Sequence, residues 1–66
     1  MSIAKTIEIT ASSEKGFEDA IKRGVAKASE SLDNITGVWV MDQSVHVAES
    51  RITEYVVRMK LTFVLK

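Results

Sequence analysis

The chain has no cysteine and a single histidine among its 66 residues. The first absence removes any disulfide framework and any thiolate metal site. The second leaves His46 without the convergent partners that a metal centre needs, so no metal ligand is assigned. Charge of one sign is missing too. Nine basic residues offset nine acidic ones, and the basic face of a nucleic-acid binder is not there. No apolar run approaches the roughly 18 residues of a membrane span. The opening MSIAKTIEIT has neither the apolar stretch nor the small-residue cleavage site of a secretory signal. The expectation is a cytoplasmic protein with no nucleic-acid and no membrane partner. Enzyme signatures are also lacking. There is no phosphate-cradling glycine loop, no cysteine nucleophile, and no pair of carboxylates that the pattern brings together. Ser12 and Ser13 read as helix caps, not nucleophiles, and the chain is expected not to be an enzyme.

What is present is a foldable domain. Apolar residues make up 45% of the chain and charged ones 27%, which argues against disorder. Residues 1–66 form one domain at most, and a domain of this size is marginal alone. With disulfides excluded and no metal site in view, self-association is the remaining common remedy.

Three segments alternate with period two and one with the period of a helix. In Ile3 to Thr10, Ile3, Ile7 and Ile9 share one parity and Thr6, Glu8 and Thr10 the other, which predicts a strand. Ala11-Ser12-Ser13-Glu14 is a helix start signal, with serine hydroxyls for the orphan N–H groups and a glutamate at the positive end of the dipole. Phe17, Ala20, Ile21, Gly24, Val25, Ala28 and Leu32 then recur at spacings of three and four. This predicts an amphipathic helix of about 18–20 residues, ended by Asp33-Asn34. Gly24 costs about 1 kcal/mol against alanine in a helix, so a close backbone contact is expected there. Ile35 to Val47 reads as a second strand, Ala48-Glu49-Ser50 as a hairpin turn without the Asn-Gly signal, and Arg51 to Leu65 as a long third strand placed at the centre.

The fold class is therefore α+β, with order β-α-β-β and a three-stranded antiparallel sheet wrapped on one helix. The helix stripe covers one sheet face, expected to hold Ile7, Ile9, Val38, Val40, Val57, Met59, Leu61 and Phe63. The other face keeps Trp39, Met41, Val56 and Val64, with Val45 or Val47 near them. An apolar patch of that size suggests an interface or a ligand site. Gly37 adds to this, because glycine in a strand often marks close approach of a backbone or ligand.

The combination ITASSEKGFEDAIKRGVAKASESLDNI, then VWVMDQ, then EYVVRMKLTFVL resembles the dodecins over nearly the whole chain. The resemblance implies a hollow homododecamer and small-molecule storage in place of catalysis. It implies a flavin ligand, FMN or riboflavin, held near two-fold axes between paired tryptophans, with a glutamine at the polar edge of the ring. Two positions depart from that pattern. Aligned on Asp42-Gln43, the family tryptophan falls at Gly37, and the glutamine falls at Val56. Trp39 lies two residues further on, about 6–7 Å along the strand. The expected contact residues are Trp39 as the stacking ring, Gln43 as the polar contact, Gly37 and Val56 as the floor, and Met41 and Arg58 beside them. The alternative is a structural shell in which Trp39 packing closes the flavin site. Such a shell binds no flavin or takes a different ligand, such as a metal ion or a nucleotide cofactor.

Overall fold

The structure is a computed structural model, and it describes residues 3–65. Four elements follow one another: β1 (Ile3–Ser13), α1 (Phe17–Ala28), β2 (Ile35–Ala48) and β3 (Arg51–Leu65). The sheet order is β1-β3-β2, and both pairings are antiparallel. The most apolar strand thus sits at the centre, as its composition predicts. Val57, Met59 and Leu61 are fully buried and Phe63 nearly so. Alternation on β3 points these four to one face, where Ala20, Ile21, Val25 and Ala28 of the helix pack. Phe17 meets Tyr55 edge to face, with centroids 5.1 Å apart.

Gly24 explains how the helix comes so close. A Cβ at this position would lie 3.1 Å from Met59 Cε, 3.2 Å from Ala11 Cβ and 3.3 Å from Ile9 Cδ1. The glycine predicted to mark a close contact is a residue at which helix and sheet meet tightly.

The helix is shorter than its periodicity predicts. It has 12 residues, because both ends of the expected segment are used otherwise. Ser12 and Ser13 do not cap it. Period two runs on past Thr10, and Ser12 and Ser13 pair with Val56 and Tyr55 as the end of β1. The N-cap is Gly16, which has no side-chain cap. Buried Ser13 instead ties the turn to the helix. Its Oγ accepts from the Lys15 N–H at 2.9 Å and donates to Asp19 Oδ2 at 2.5 Å. At the other end the chain leaves the helix at Ser29. It passes Asn34, whose φ of 62° is a conformation that asparagine tolerates better than most residues. The Asn34 carbonyl accepts from the Val64 N–H at 3.1 Å, which seats the start of β2 beside β3. In the hairpin the turn residues are Glu49 and Ser50, at φ 53° and 63°. Ala48 belongs to β2 and pairs with Arg51.

Two features of β2 position the surface discussed below. First, the helix lies over β1 and β3, and β2 is left at an edge. Val38 and Val45 pair with Leu61 and Tyr55 and so share the helix side of the sheet, yet both are exposed. The apolar surface left open is therefore on both faces of β2. Val45 in particular does not belong with Trp39. Second, β2 carries an extra residue. Val40 pairs with Met59 and Asp42 with Arg58, which leaves Met41 without a partner in a β-bulge. A bulge inserts one residue and reverses the parity beyond it. Alternation alone puts residues 39, 41 and 43 on one face, and the bulge breaks that sequence.

Candidate ligand-binding face

On the side away from the helix the register assembles a row on each strand. β3 contributes Val56, Arg58, Lys60 and Thr62, and β2 contributes Gly37, Trp39, Asp42 and Ser44, which pair with these four in reverse order. β1 adds Glu8 opposite Lys60 and Thr10 opposite Arg58. Trp39 lies on the β2 edge of this surface, opposite Lys60, and is 66% exposed. The Lys60 ammonium sits over its ring, 5.4 Å from the centroid, within cation–π range. Next to it, Asp42 Oδ2 lies 3.0 Å from Nε and from Nη2 of Arg58.

Of the six residues predicted to form the site, four share this face: Gly37, Trp39, Val56 and Arg58. Met41 is the unpaired bulge residue. Gln43 lies across from Val57, three positions along β3 from Lys60, and so on the helix side of the sheet. It does not stand beside Trp39. Gly37 is open. Nothing lies within 4 Å of where its Cβ would be, so within one chain neither a backbone nor a side chain approaches it. The sequence reading missed Lys60 and Asp42. Lys60 was legible, since it has the parity of Arg58 on a regular strand. Asp42 was not, because only the bulge brings it to this face.

An apolar concavity lies elsewhere. A cleft of about 500 Å³ runs between α1 and β1, lined by Ile7, Ile9, Ala11, Gly24 and Ala28, with Arg23 and Lys27 beside it. Both cations are engaged along the helix, Arg23 with Asp19 at 2.7 Å and Lys27 with Glu30 at 3.4 Å. The cleft offers apolar surface without a convergent polar group. Among the described residues no three of His, Asp and Glu converge as a metal site would require. No helix among them is long and apolar enough to cross a membrane.

A helix half-wrapped by a three-stranded antiparallel sheet, with an exposed aromatic on the uncovered side, defines a class of small wrapped-helix domains that leave much apolar surface to be buried elsewhere. The dodecin family model matches residues 3–66, and the chain belongs to the dodecin family. No curated protein matches. Among solved structures, an alanine mutant of the T. thermophilus dodecin is 27% identical, with a TM-score of 0.95, and the match covers 100% of this chain and 98% of that one. The dodecin from Streptomyces davaonensis is 26% identical, with a TM-score of 0.94 and coverage of 98% and 96%. A calcium-chelating immunodominant antigen of Mycobacterium tuberculosis, a calcium dodecin with a novel calcium-binding site, is 26% identical, with a TM-score of 0.85 and coverage of 98% and 93%.

Proposed function

We propose that this dodecin is a cytoplasmic homododecameric storage protein that sequesters a planar aromatic ligand by stacking on Trp39, with a flavin (FMN or riboflavin) as the family ligand. The observation that carries this reading is the exposure of the only tryptophan, on the sheet face that the helix leaves open. A monomer gains nothing by exposing so large an apolar ring, and a stacked partner gives about 0.5–1.5 kcal/mol beyond burial. The role is sequestration and release by mass action, without catalysis.

The residues do not fit the usual flavin pose of the family. Gly37 has no ring and Val56 has no donor at the two positions concerned. They do fit a flat ring laid on Trp39. There the neighbouring polar groups are Lys60 and the Asp42–Arg58 pair, and Gln43 stays on the far side of the sheet. Self-assembly is supported by Val38, Val45, Val47 and Ile52, all exposed on the β2–β3 hairpin.

Titration of FMN and riboflavin into the purified protein, followed by flavin fluorescence, tests the reading. Quenching that Trp39→Ala abolishes while the dodecamer persists is the expected result. No quenching at tens of micromolar protein, with the assembly intact, overturns it. Placing the family residues at their usual positions, as Gly37→Trp with Val56→Gln, is sterically open at Gly37. It is expected to raise flavin affinity about tenfold through stacking and one hydrogen bond.

The open space at Gly37 also favours a second reading. Trp39 rings of two protomers would fill it and close the site, leaving a shell that takes another ligand. Candidates are a metal ion, as the calcium dodecin of M. tuberculosis does, or a nucleotide cofactor. In that case Trp39→Ala disrupts assembly itself.

A further inference from the structure

We infer that Lys60 sets the charge of the ligand that Trp39 accepts, so that the platform selects planar aromatic ligands bearing a phosphate or carboxylate and rejects cationic ones. The inference rests on Trp39 being a stacking platform, and it deepens that reading by naming the ligand class.

Lys60 is anchored on the central strand, between Trp39 on β2 and Glu8 on β1, which are its register partners on either side. Its ammonium lies over the indole, 5.4 Å from the centroid. Any ring that stacks on this side of Trp39 must displace it. Among the described residues Lys60 makes no ion pair within 4.0 Å, and neither does Glu8. The other nearby cation is committed, since Arg58 Nε and Nη2 both contact Asp42 Oδ2 at 3.0 Å. The charge available to a ligand at Trp39 is therefore that of Lys60.

The consequence differs with the ligand. An anionic ring displaces the ammonium from the indole and then pairs with it, so one contact is exchanged for another. A neutral ring displaces it with no such return, and Glu8, its register partner across the strand, is the unpaired carboxylate left to receive it among the described residues. A cationic ring competes for the same electron-rich face and meets the ammonium as a like charge. Lysine suits this role because its compact ammonium rides on a flexible stem.

FMN and riboflavin share one ring and differ by a phosphate, so they isolate the charge term. The assembled wild-type protein is expected to bind FMN about fivefold more tightly than riboflavin, the size of one partly exposed charge contact of about 1 kcal/mol, and the preference should shrink as salt is added. Lys60→Met should bring the two affinities within about twofold, and Lys60→Arg should keep the preference. A Lys60→Met protein with the wild-type ratio overturns the inference.

A second readout needs no flavin. Trp39 is the only tryptophan, so its emission can be quenched by iodide and by neutral acrylamide. The ratio of iodide to acrylamide quenching is expected to fall about twofold in Lys60→Met as the attracting charge is lost. Lys22→Met, on the exposed face of the helix, is expected to leave the ratio unchanged, and an equal fall in that variant overturns the assignment to Lys60. If acrylamide fails to reach Trp39 in the assembled protein, the platform reading fails and the inference with it. If acrylamide reaches Trp39 and the iodide ratio is the same in wild type and Lys60→Met, the inference fails and the platform stands.

Discussion

Asp42 and Trp39 are three residues apart, yet they share one face of the sheet because Met41 is bulged out between them. The bulge lets Asp42 hold Arg58 through a single carboxylate oxygen. Both side chains are about half exposed, 53% and 49%, and exposed pairs contribute little. A double-mutant cycle with Asp42→Ala and Arg58→Ala is expected to give a coupling of about 0.5 kcal/mol in urea denaturation. The pair's larger effect is on direction, since it holds the guanidinium on Asp42.

Gly24→Ala sets two terms against each other. The helix gains about 1 kcal/mol in propensity, while three neighbours at 3.1–3.3 Å resist the new methyl group. Two of those neighbours are rooted in β1 and the third, Met59, is fully buried, so there is little room to yield. Overpacking costs about 1–3 kcal/mol. The expected outcome is a net loss of about 1 kcal/mol, read as a lower thermal midpoint, with Gly24→Val losing more. A rise in midpoint for Gly24→Ala would show that the helix can shift outward without penalty.

The hairpin turn places Glu49 and Ser50 in left-handed backbone, which costs a non-glycine residue roughly 1–2 kcal/mol. Ser50→Gly removes that cost at one position and matches the Asn-Gly preference of such turns. It is expected to stabilise the protein by about 0.5–1 kcal/mol after the added chain entropy of glycine. Chemical denaturation measures it, and a destabilised Ser50→Gly would contradict the turn geometry.

Acid sensitivity should trace in part to Asp19. The Ser13 hydroxyl, helped by Arg23 and Lys15 and opposed by partial desolvation, holds its pKa below the ordinary 3.8. A carboxylate depressed in the folded state contributes stability above the unfolded value, and that contribution is lost as pH falls through the folded one. Wild type should therefore be more stable than Asp19→Asn near neutral pH, with the gap narrowing below pH 3.8. A gap that stays constant to the acid limit would show that Asp19 acts only by packing.

Much of this was readable from alternation. The parity of Tyr55 to Leu65 marks both the buried face and the central place of β3, and the three- and four-residue spacing from Phe17 marks the helix stripe. Local pattern failed where tertiary pairing overrode it. Ser12 and Ser13 have the chemistry of caps, but β3 offers ladder partners and they extend β1. Met41 is apolar and in step with Trp39, so nothing in its identity signals a bulge. That one insertion is why Gln43 was expected beside Trp39 and lies behind the sheet, and why Asp42 was overlooked.

The register of β1 has a consequence for how the molecule is made. Ile3 pairs with Leu65 and Ser13 with Tyr55, so β1 finds its partner in β3, which is made only after the helix and β2. The β2–β3 hairpin closes locally and quickly, while β1 and the helix must wait for it. Pairings of such long sequence separation are slow to form. Until they do, the apolar stripe of the helix has no sheet to lie on, and that surface stays open to unspecific association.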